Sequence, residues 1–341
     1  MAGCALFAWL IVADGGERAA EATAPGFNGK IAFEQNGDIL TINPDGSGIV
    51  NLTNNPQRET APAWSPDGQS IAFSRGGLWV MDADGSNQTQ LTDSGTDPAW
   101  NPDGTKIAFF EELGVAIYVL DLMTTEVSFL FDGGVELGPA WSPDGTKITY
   151  SDFSDAGNGE LFVANSDGTE PLQLTFNGSG SDGGSSWSPD STKIAYRTCR
   201  IFPCEIFAIE PDGSNDTNLT NSNNNEEELS WSPDGTRIVY SASAGLDIQL
   251  WMMNADGSNQ TQFTQGPSDA RQPDWQPLAE DPGYAAFELA TPTPTPSVPS
   301  GLPSGGGNPD SRPANLLLLV TGAGLLVISF GTWYALRRWP R

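Results

Sequence analysis

One tetrad, Trp-Ser-Pro-Asp or a near variant, recurs six times along the chain, at Trp64, Trp100, Trp141, Trp187, Trp231 and Trp275. Successive spacings are 36, 41, 46, 44 and 44 residues, a period typical of architectures in which each repeat is one supersecondary unit. After each of the first five comes a short β-rich run: Ile71-Ala72-Phe73, Ile107-Ala108-Phe109, Ile148-Thr149-Tyr150, Ile194-Ala195-Tyr196 and Ile238-Val239-Tyr240. A second run follows, as in Leu78-Trp79-Val80-Met81 or Leu250-Trp251-Met252-Met253, then a turn such as Asp82-Ala83-Asp84-Gly85. A third run ends in Leu-Thr, as at Leu91-Thr92 and Leu219-Thr220. Each unit therefore supplies four short strands, the first ending at the tryptophan. In Ser65-Pro66-Asp67-Gly68 the proline presets φ at the second turn position and the glycine tolerates the exit geometry. Asp-Gly tips suit tight hairpins between the later strands.

A four-stranded antiparallel unit with two apolar faces cannot bury both by itself. Radial stacking buries them, and closing the ring removes the exposed ends. The ends of the array complement one another: Lys30-Ile31-Ala32-Phe33, Asp38–Asn43 and Ile49–Thr53 supply strands two to four of a unit without a first, while Gln272-Pro273-Asp274-Trp275 supplies a first strand with nothing after it. The pattern predicts an all-β fold, a six-bladed β-propeller of four-stranded antiparallel blades, closed by a C-terminal strand that enters the N-terminal blade. The rival, an open solenoid, needs terminal caps.

The run Trp-Ser-Pro-Asp-Gly-Thr-Lys-Ile, followed by Leu-Trp-Val-Met-Asp-Ala-Asp-Gly and a terminal Leu-Thr, resembles the WD40-like PD40 repeat of TolB-type propellers over about residues 27–277. The resemblance implies a propeller and a role in protein interaction. It does not imply membership of the Tol–Pal system, because TolB carries an additional α/β domain, whereas this sequence carries an apolar C-terminal segment.

That segment, Ala314 to Leu336, runs 23 residues without a charge, enough for one helix across a bilayer core of about 30 Å. Trp333 and Tyr334 suit an interface, and Arg337, Arg338 and Arg341 follow, which assigns the C-terminus to the cytoplasm by the positive-inside tendency. The domain reading is a truncated signal segment over 1–25, the propeller over 26–280, a Pro/Thr/Gly-rich stalk over 281–313, a transmembrane helix over 314–336 and a basic cytoplasmic tail over 337–341. Residues 5–13 are apolar but lack the preceding basic residues of a secretory signal. The repeated Thr-Pro of 291–296 favours extended polyproline II, a semi-rigid spacer. The expected location is a bacterial-type cell membrane, single-pass, with the propeller outside. Cell-wall anchoring by a sortase is the alternative, although Leu302-Pro303-Ser304-Gly305-Gly306 lacks the Thr-Gly pair of a sorting motif.

Chemistry is constrained by what is missing. The chain has no histidine, which removes the commonest general base, the commonest metal ligand and every Ser–His or Cys–His pair. Relatives of the repeat among prolyl oligopeptidases use a hydrolase domain with a Gly-x-Ser-x-Gly elbow, and TolB-like oligogalacturonate lyases rely on a His-containing metal site; neither signature occurs here. The Asp82/Asp84 tip, with looser versions at Asn254/Asp256 and Asn165/Asp167, lacks the later Glu of a calcium loop. No catalytic residue, cofactor site or metal site is assigned, and the chain is read as a non-enzyme.

A net charge of −28, from 43 acidic and 15 basic residues, repels phosphate backbones and excludes nucleic acid as a partner. Cys199 and Cys204, separated by four residues that include Pro203, are expected to form a disulfide across a hairpin tip in an oxidising compartment. Glu226-Glu227-Glu228 and the Gly178–Ser186 segment read as solvated connecting loops. The function expected is a surface-displayed binding module for a protein or envelope glycan. The alternative is a carbohydrate-active enzyme, a glycosidase or lyase, using carboxylates in the propeller funnel.

Overall fold

The computed structural model describes residues 26–278, apart from 112–115, 133–137, 154–157, 179, 244 and 246. The signal segment, stalk, transmembrane helix and basic tail expected from the sequence lie outside the described residues. Within them every regular element is a β-strand. Blade 1 contains β1 (Phe27–Gln35), β2 (Asp38–Ile42) and β3 (Val50–Asn51); blade 2 is β4 (Thr60–Trp64), β5 (Ser70–Ser74), β6 (Leu78–Asp82) and β7 (Thr89–Gln90). Blade 3 is β8 (Thr96–Trp100), β9 (Lys106–Glu111), β10 (Ala116–Asp121) and β11 (Val127–Asp132); blade 4 is β12 (Ala140–Trp141), β13 (Lys147–Phe153), β14 (Gly159–Asn165) and β15 (Leu172–Gln173). Blade 5 is β16 (Asp182–Trp187), β17 (Ile194–Thr198), β18 (Glu205–Ile209) and β19 (Thr217–Asn218); blade 6 is β20 (Asn225–Trp231), β21 (Arg237–Ser243), β22 (Ile248–Asn254) and β23 (Thr261–Gln262). The last strand, β24 (Ala270–Leu278), joins blade 1, whose order is β24-β1-β2-β3.

Closure is thus between opposite ends of the folded body. β24 runs antiparallel to β1 with Ile31 opposite Trp275 and Phe27 opposite Leu278. The first strands of successive blades neighbour one another around the axis, and the fourth strands lie outermost. Five of the six outer strands have only two residues; β11 has six. Short outer strands offer little unpaired edge to other chains.

Each repeat tryptophan fills the seam between its own blade and the one before. Trp275 packs with Ile31 and Phe33 of blade 1 and Leu250 of blade 6; Trp187 packs with Leu161 and Val163 of blade 4 and Tyr196 of blade 5. Trp64 and Trp231 are likewise buried, whereas Trp100 and Trp141 are half-buried. The Ile-Ala-Phe runs supply the second strands, and Ile71, Phe73, Ile107, Ile194 and Tyr196 lie wholly inside. Burying such a side chain stabilises by about 1.5–3 kcal/mol, so the seams and the blades share one apolar source of stability.

The remaining repeat residues are explained by backbone bookkeeping. In five blades a threonine just past the outer strand, preceded by leucine in four of them and by Phe263 in blade 6, takes over through its hydroxyl as acceptor for a third-strand N–H. Thr53, Thr92, Thr175, Thr220 and Thr264 accept in this way from Ile39, Leu78, Leu161, Ile206 and Leu250 at 2.9–3.1 Å. In the tetrad turn, Asp67 accepts from Gln69 N–H at 3.0 Å and from the Ser65 hydroxyl. Gly68 sits at φ +67, a region that L side chains rarely adopt.

Two sequence readings are corrected. Glu226-Glu227-Glu228 is not a solvated loop but part of β20, with Glu226 fully buried. The Gly178–Ser186 segment is only partly connection, since Asp182 onward is strand β16 and Asp182 is fully buried. In both, short acidic side chains find hydrogen-bond donors at the seam and are drawn inside, which residue type alone does not reveal.

Candidate functional site

Antiparallel blades divide their turns between two faces. One face carries the turns after the first and third strands and is nearly uniform. Asp67, Asp103, Asp144, Asp190 and Asp234 each accept a backbone N–H two residues on, at 2.8–3.1 Å. The hairpin tips between third and fourth strands repeat a similar device: Asp84 is bonded by the Ser86 hydroxyl and N–H, which hold its carboxyl below the ordinary value. Asp82 accepts from Asn87 Nδ2 at 2.7 Å. The carboxylates of this face close turns.

The other face carries the hairpins between second and third strands and the connections between blades, and those among the described residues differ from one another. The tip of blade 1 is Asn36-Gly37, that of blade 2 is Arg75-Gly76-Gly77, and that of blade 5 is the six-residue Cys199–Cys204 segment. Cys199 and Cys204 are joined by a disulfide, their Cα atoms 4.2 Å apart. Between them Phe202 is 90% exposed and Ile201 46%, while Phe176, on the adjoining connection, is 78% exposed. The finger is nevertheless held at its root. Cys199 N–H donates to Ser181 O, and Arg200 is fixed by Asp216 at 2.7 Å and lies over the Phe207 ring at 3.9 Å. A rigid exposed aromatic loses little entropy when it docks.

Five innermost strands, with Gly138 and Pro139 just before the sixth, line a central channel of about 280 Å³. Each contributes the residues just before its tryptophan, and Ala61, Asp97, Gly184 and Gln272 there adopt φ of 51 to 58. Register shifts accompany them, as between Thr60 and Ala63 and between Thr96 and Ala99. These bulges turn polar groups toward the neighbouring blade. Gln272 Oε1 accepts from Ala61 N–H at 2.8 Å, and Asp274 accepts from Trp64 N–H at 2.7 Å and from the Ser230 hydroxyl at 3.1 Å. Ser230 Oγ accepts in turn from Trp275 N–H, and Ser186 Oγ from Trp231 N–H. Burial pushes the Asp274 carboxyl up to about 6 against the pull of these donors. Glu228, also on the channel, accepts from the Ser241 hydroxyl at 2.7 Å.

An open polar groove of about 700 Å³ lies where blades 6 and 1 meet, walled by Asn36, Asn55, Arg58, Asp269 and Arg271. Arg271 is held by Glu227 at 2.6 Å and Asp269 at 3.1 Å, while the largely exposed Arg58 lies 3.7 Å from Glu34. Among the described residues no group of three or more acidic or sulfur ligands is placed to hold a metal. The tryptophans singled out in the sequence are brought together as seam fillers around the axis. Sequence reasoning missed the exposed Phe202, whose one signal was a phenylalanine inside a short Cys-to-Cys interval, and Phe176, which carried none. It also missed the buried acids of the seams.

The comparisons agree with this geometry. The family model described as the TolB beta propeller domain (PD40) matches residues 74–277, more than half of the chain. The structure of TolB from Acinetobacter baumannii is similar at 21% identity and a TM-score of 0.64, covering 73% of this chain and 67% of that one. A putative TolB from Agrobacterium tumefaciens gives 22% identity, a TM-score of 0.59 and coverage of 70% and 88%. A chain of a nidogen/laminin complex gives 15%, 0.61, and 72% and 98%. No curated protein sequence matches. At these identities the solved structures speak for the fold, and the matched repeat for the family: the chain belongs to the TolB β-propeller domain, or PD40, family.

Proposed function

We propose that this protein is a binding module, displayed outside a bacterial-type membrane, whose varied face captures a protein or an envelope glycan. The observation that carries the reading is the contrast between the two faces. One is spent on repeated turn closure, while the other collects the apolar finger, the polar groove and the unlike connections. Placing an aromatic at the tip of a disulfide-closed hairpin costs solubility and adds nothing to the core, which favours a docking role. In this reading residues 314–336 span the membrane, 281–313 form the stalk and the basic tail is cytoplasmic. The nidogen/laminin chain, taken from a complex of proteins, lends support from the same fold.

The alternative, glycoside hydrolysis or lyase chemistry in the funnel, needs carboxylates free to move protons. Asp274 and Glu228 are engaged in bonds that join strands, which favours the binding reading. Screening the protein against envelope polysaccharides and isolated envelope proteins tests the choice. Saturable binding without product, weakened at least about tenfold by Phe202→Ala, is expected. Product formation would support the enzyme instead.

A further inference from the structure

Thr220 lies just past the outer strand of blade 5 at the seam with blade 6, and its hydroxyl meets two carboxylates: Glu205 Oε2 at 2.7 Å and Glu226 Oε2 at 3.2 Å. The same oxygen accepts from Ile206 N–H at 3.0 Å. A hydroxyl has one proton to donate. When it goes to Glu205, the contact with Glu226 joins two bare oxygens unless Glu226 carries a proton itself. Both side chains are inside, with Glu205 4% and Glu226 0% exposed. Ser222 supplies its N–H to Glu205 at 3.1 Å and its hydroxyl to Glu226 Oε1. Neither glutamate forms an ion pair among the described residues. The contrast lies at the next seam but one: Glu59, just before the first full strand of blade 2, is neutralised by Arg75 at 2.8 Å.

We infer that Glu226 holds a proton in the folded protein where it meets Glu205, and that its loss in mildly alkaline solution loosens the joint between the Cys199–Cys204 finger and blade 6. The joint is made of the groups on either side of the pair. Cys204 O accepts from Glu226 N–H at 3.0 Å, and Cys204 N–H donates to Asn225 Oδ1 at 3.2 Å. Burial, with the neighbouring Glu205 charge adding to it, pushes the Glu226 carboxyl up to about 7. Two like charges in a dry seam cannot both ionise cheaply.

The other charges facing the pair do not relieve it. On β21 the Tyr240 phenol is pushed further up by burial and by Glu226, and so stays neutral. Next along β20, Glu227 is raised by burial and by Glu228, and is answered by Arg271 of β24 and Arg197 of β17, with Asp269 on the far side of Arg271. On β17 the residue opposite Glu205 is the neutral Thr198. A related pair, Glu160 and Asp182, occupies the seam of blades 4 and 5, tied by Asn177 Nδ2, which donates to both. In blade 6 the place of Glu205 is taken by Gln249, whose Oε1 accepts from Thr264 at 2.9 Å. The position therefore needs an acceptor and works without a charge.

Because the folded value of Glu226 lies above its ordinary 4.5, its contribution is greatest in acid and is lost as pH rises through about 7. Hydrogen exchange of the full chain between pH 5.5 and 8.5, corrected for the intrinsic chemical rate, reads the joint directly. We expect protection across 199–206 and 219–228 to fall about tenfold or more with rising pH. Glu226→Gln and Glu205→Gln, each removing one charge at constant shape, should flatten that fall, and the Arg75–Glu59 hairpin should show none. Unchanged protection in the parent protein, or the same slope in both Gln variants, would overturn the inference. So would an ordinary acidic midpoint for the Glu226 carboxyl by carbon NMR.

Discussion

Asp274 shows how one side chain can serve a seam at a cost. It receives Trp64 N–H from blade 2 and the Ser230 hydroxyl from blade 6, so it joins three blades at the axis. Its carboxyl moves from 3.8 to about 6 on folding. A carboxyl raised in this way favours folding most below its unfolded value and costs stability as pH rises through 4 to 6; above that the cost is complete, at about 1–3 kcal/mol. Asn keeps an acceptor for Trp64 and gives Ser230 a donor. Asp274→Asn is therefore expected to raise the unfolding free energy at pH 8 by about 1–3 kcal/mol, with the gain disappearing near pH 4 in denaturant titrations. A loss of stability at pH 8 would show that the charge itself is required. The sequence displayed Asp274 next to Trp275 but not its neighbours, because they come from strands 210 and 44 residues away.

At the scale of the element, the tetrad turn and the closing strand meet at Gly68. A Cβ there would lie 2.2 Å from Pro277 O of β24, whereas at the equivalent Gly104 the nearest atom is Pro66 Cγ at 3.5 Å. Both glycines have φ near +70. Gly104→Ala is expected to cost about 1–2 kcal/mol, the penalty of the left-handed backbone alone. Gly68→Ala adds displacement of β24 and should cost about 3 kcal/mol or more, measured as the shift in urea midpoint. Equal costs would mean that β24 does not rest on this turn. The strands themselves were legible, because period-two apolar runs between turn residues carry the β signal without help from distant contacts. Their burial at the ends was not. Glu226 and Asp182 read as surface residues until the hydroxyls of Thr220 and Ser222 and the amide of Asn177 supply donors around them.

For the whole molecule, the period of the tryptophans and the complementary fragments at the two ends were enough to read six blades and their closure. The reason is physical: a ring has to pair its leftover strand, and only one leftover fitted. The binding face was not legible in the same way, because its loops are free of the repeat and take their form from one-off contacts such as Arg200 on Phe207. The Cys199–Cys204 link is the exception, since spacing alone suggested it. Removing it by paired Cys→Ser substitution should lower stability by about 2 kcal/mol and leave the other five hairpins unchanged in hydrogen exchange.

Joining of β1 to β24 decides whether this architecture is a closed disc. Phe27 and Leu278 face one another across that pair and are both exposed, so cysteines at the two positions, in a Cys4→Ser background, report it without disturbing the core. The ring predicts that Phe27→Cys/Leu278→Cys oxidises to an intramolecular bond in the monomer. Thiols that stay free, or that link only different chains, would contradict it.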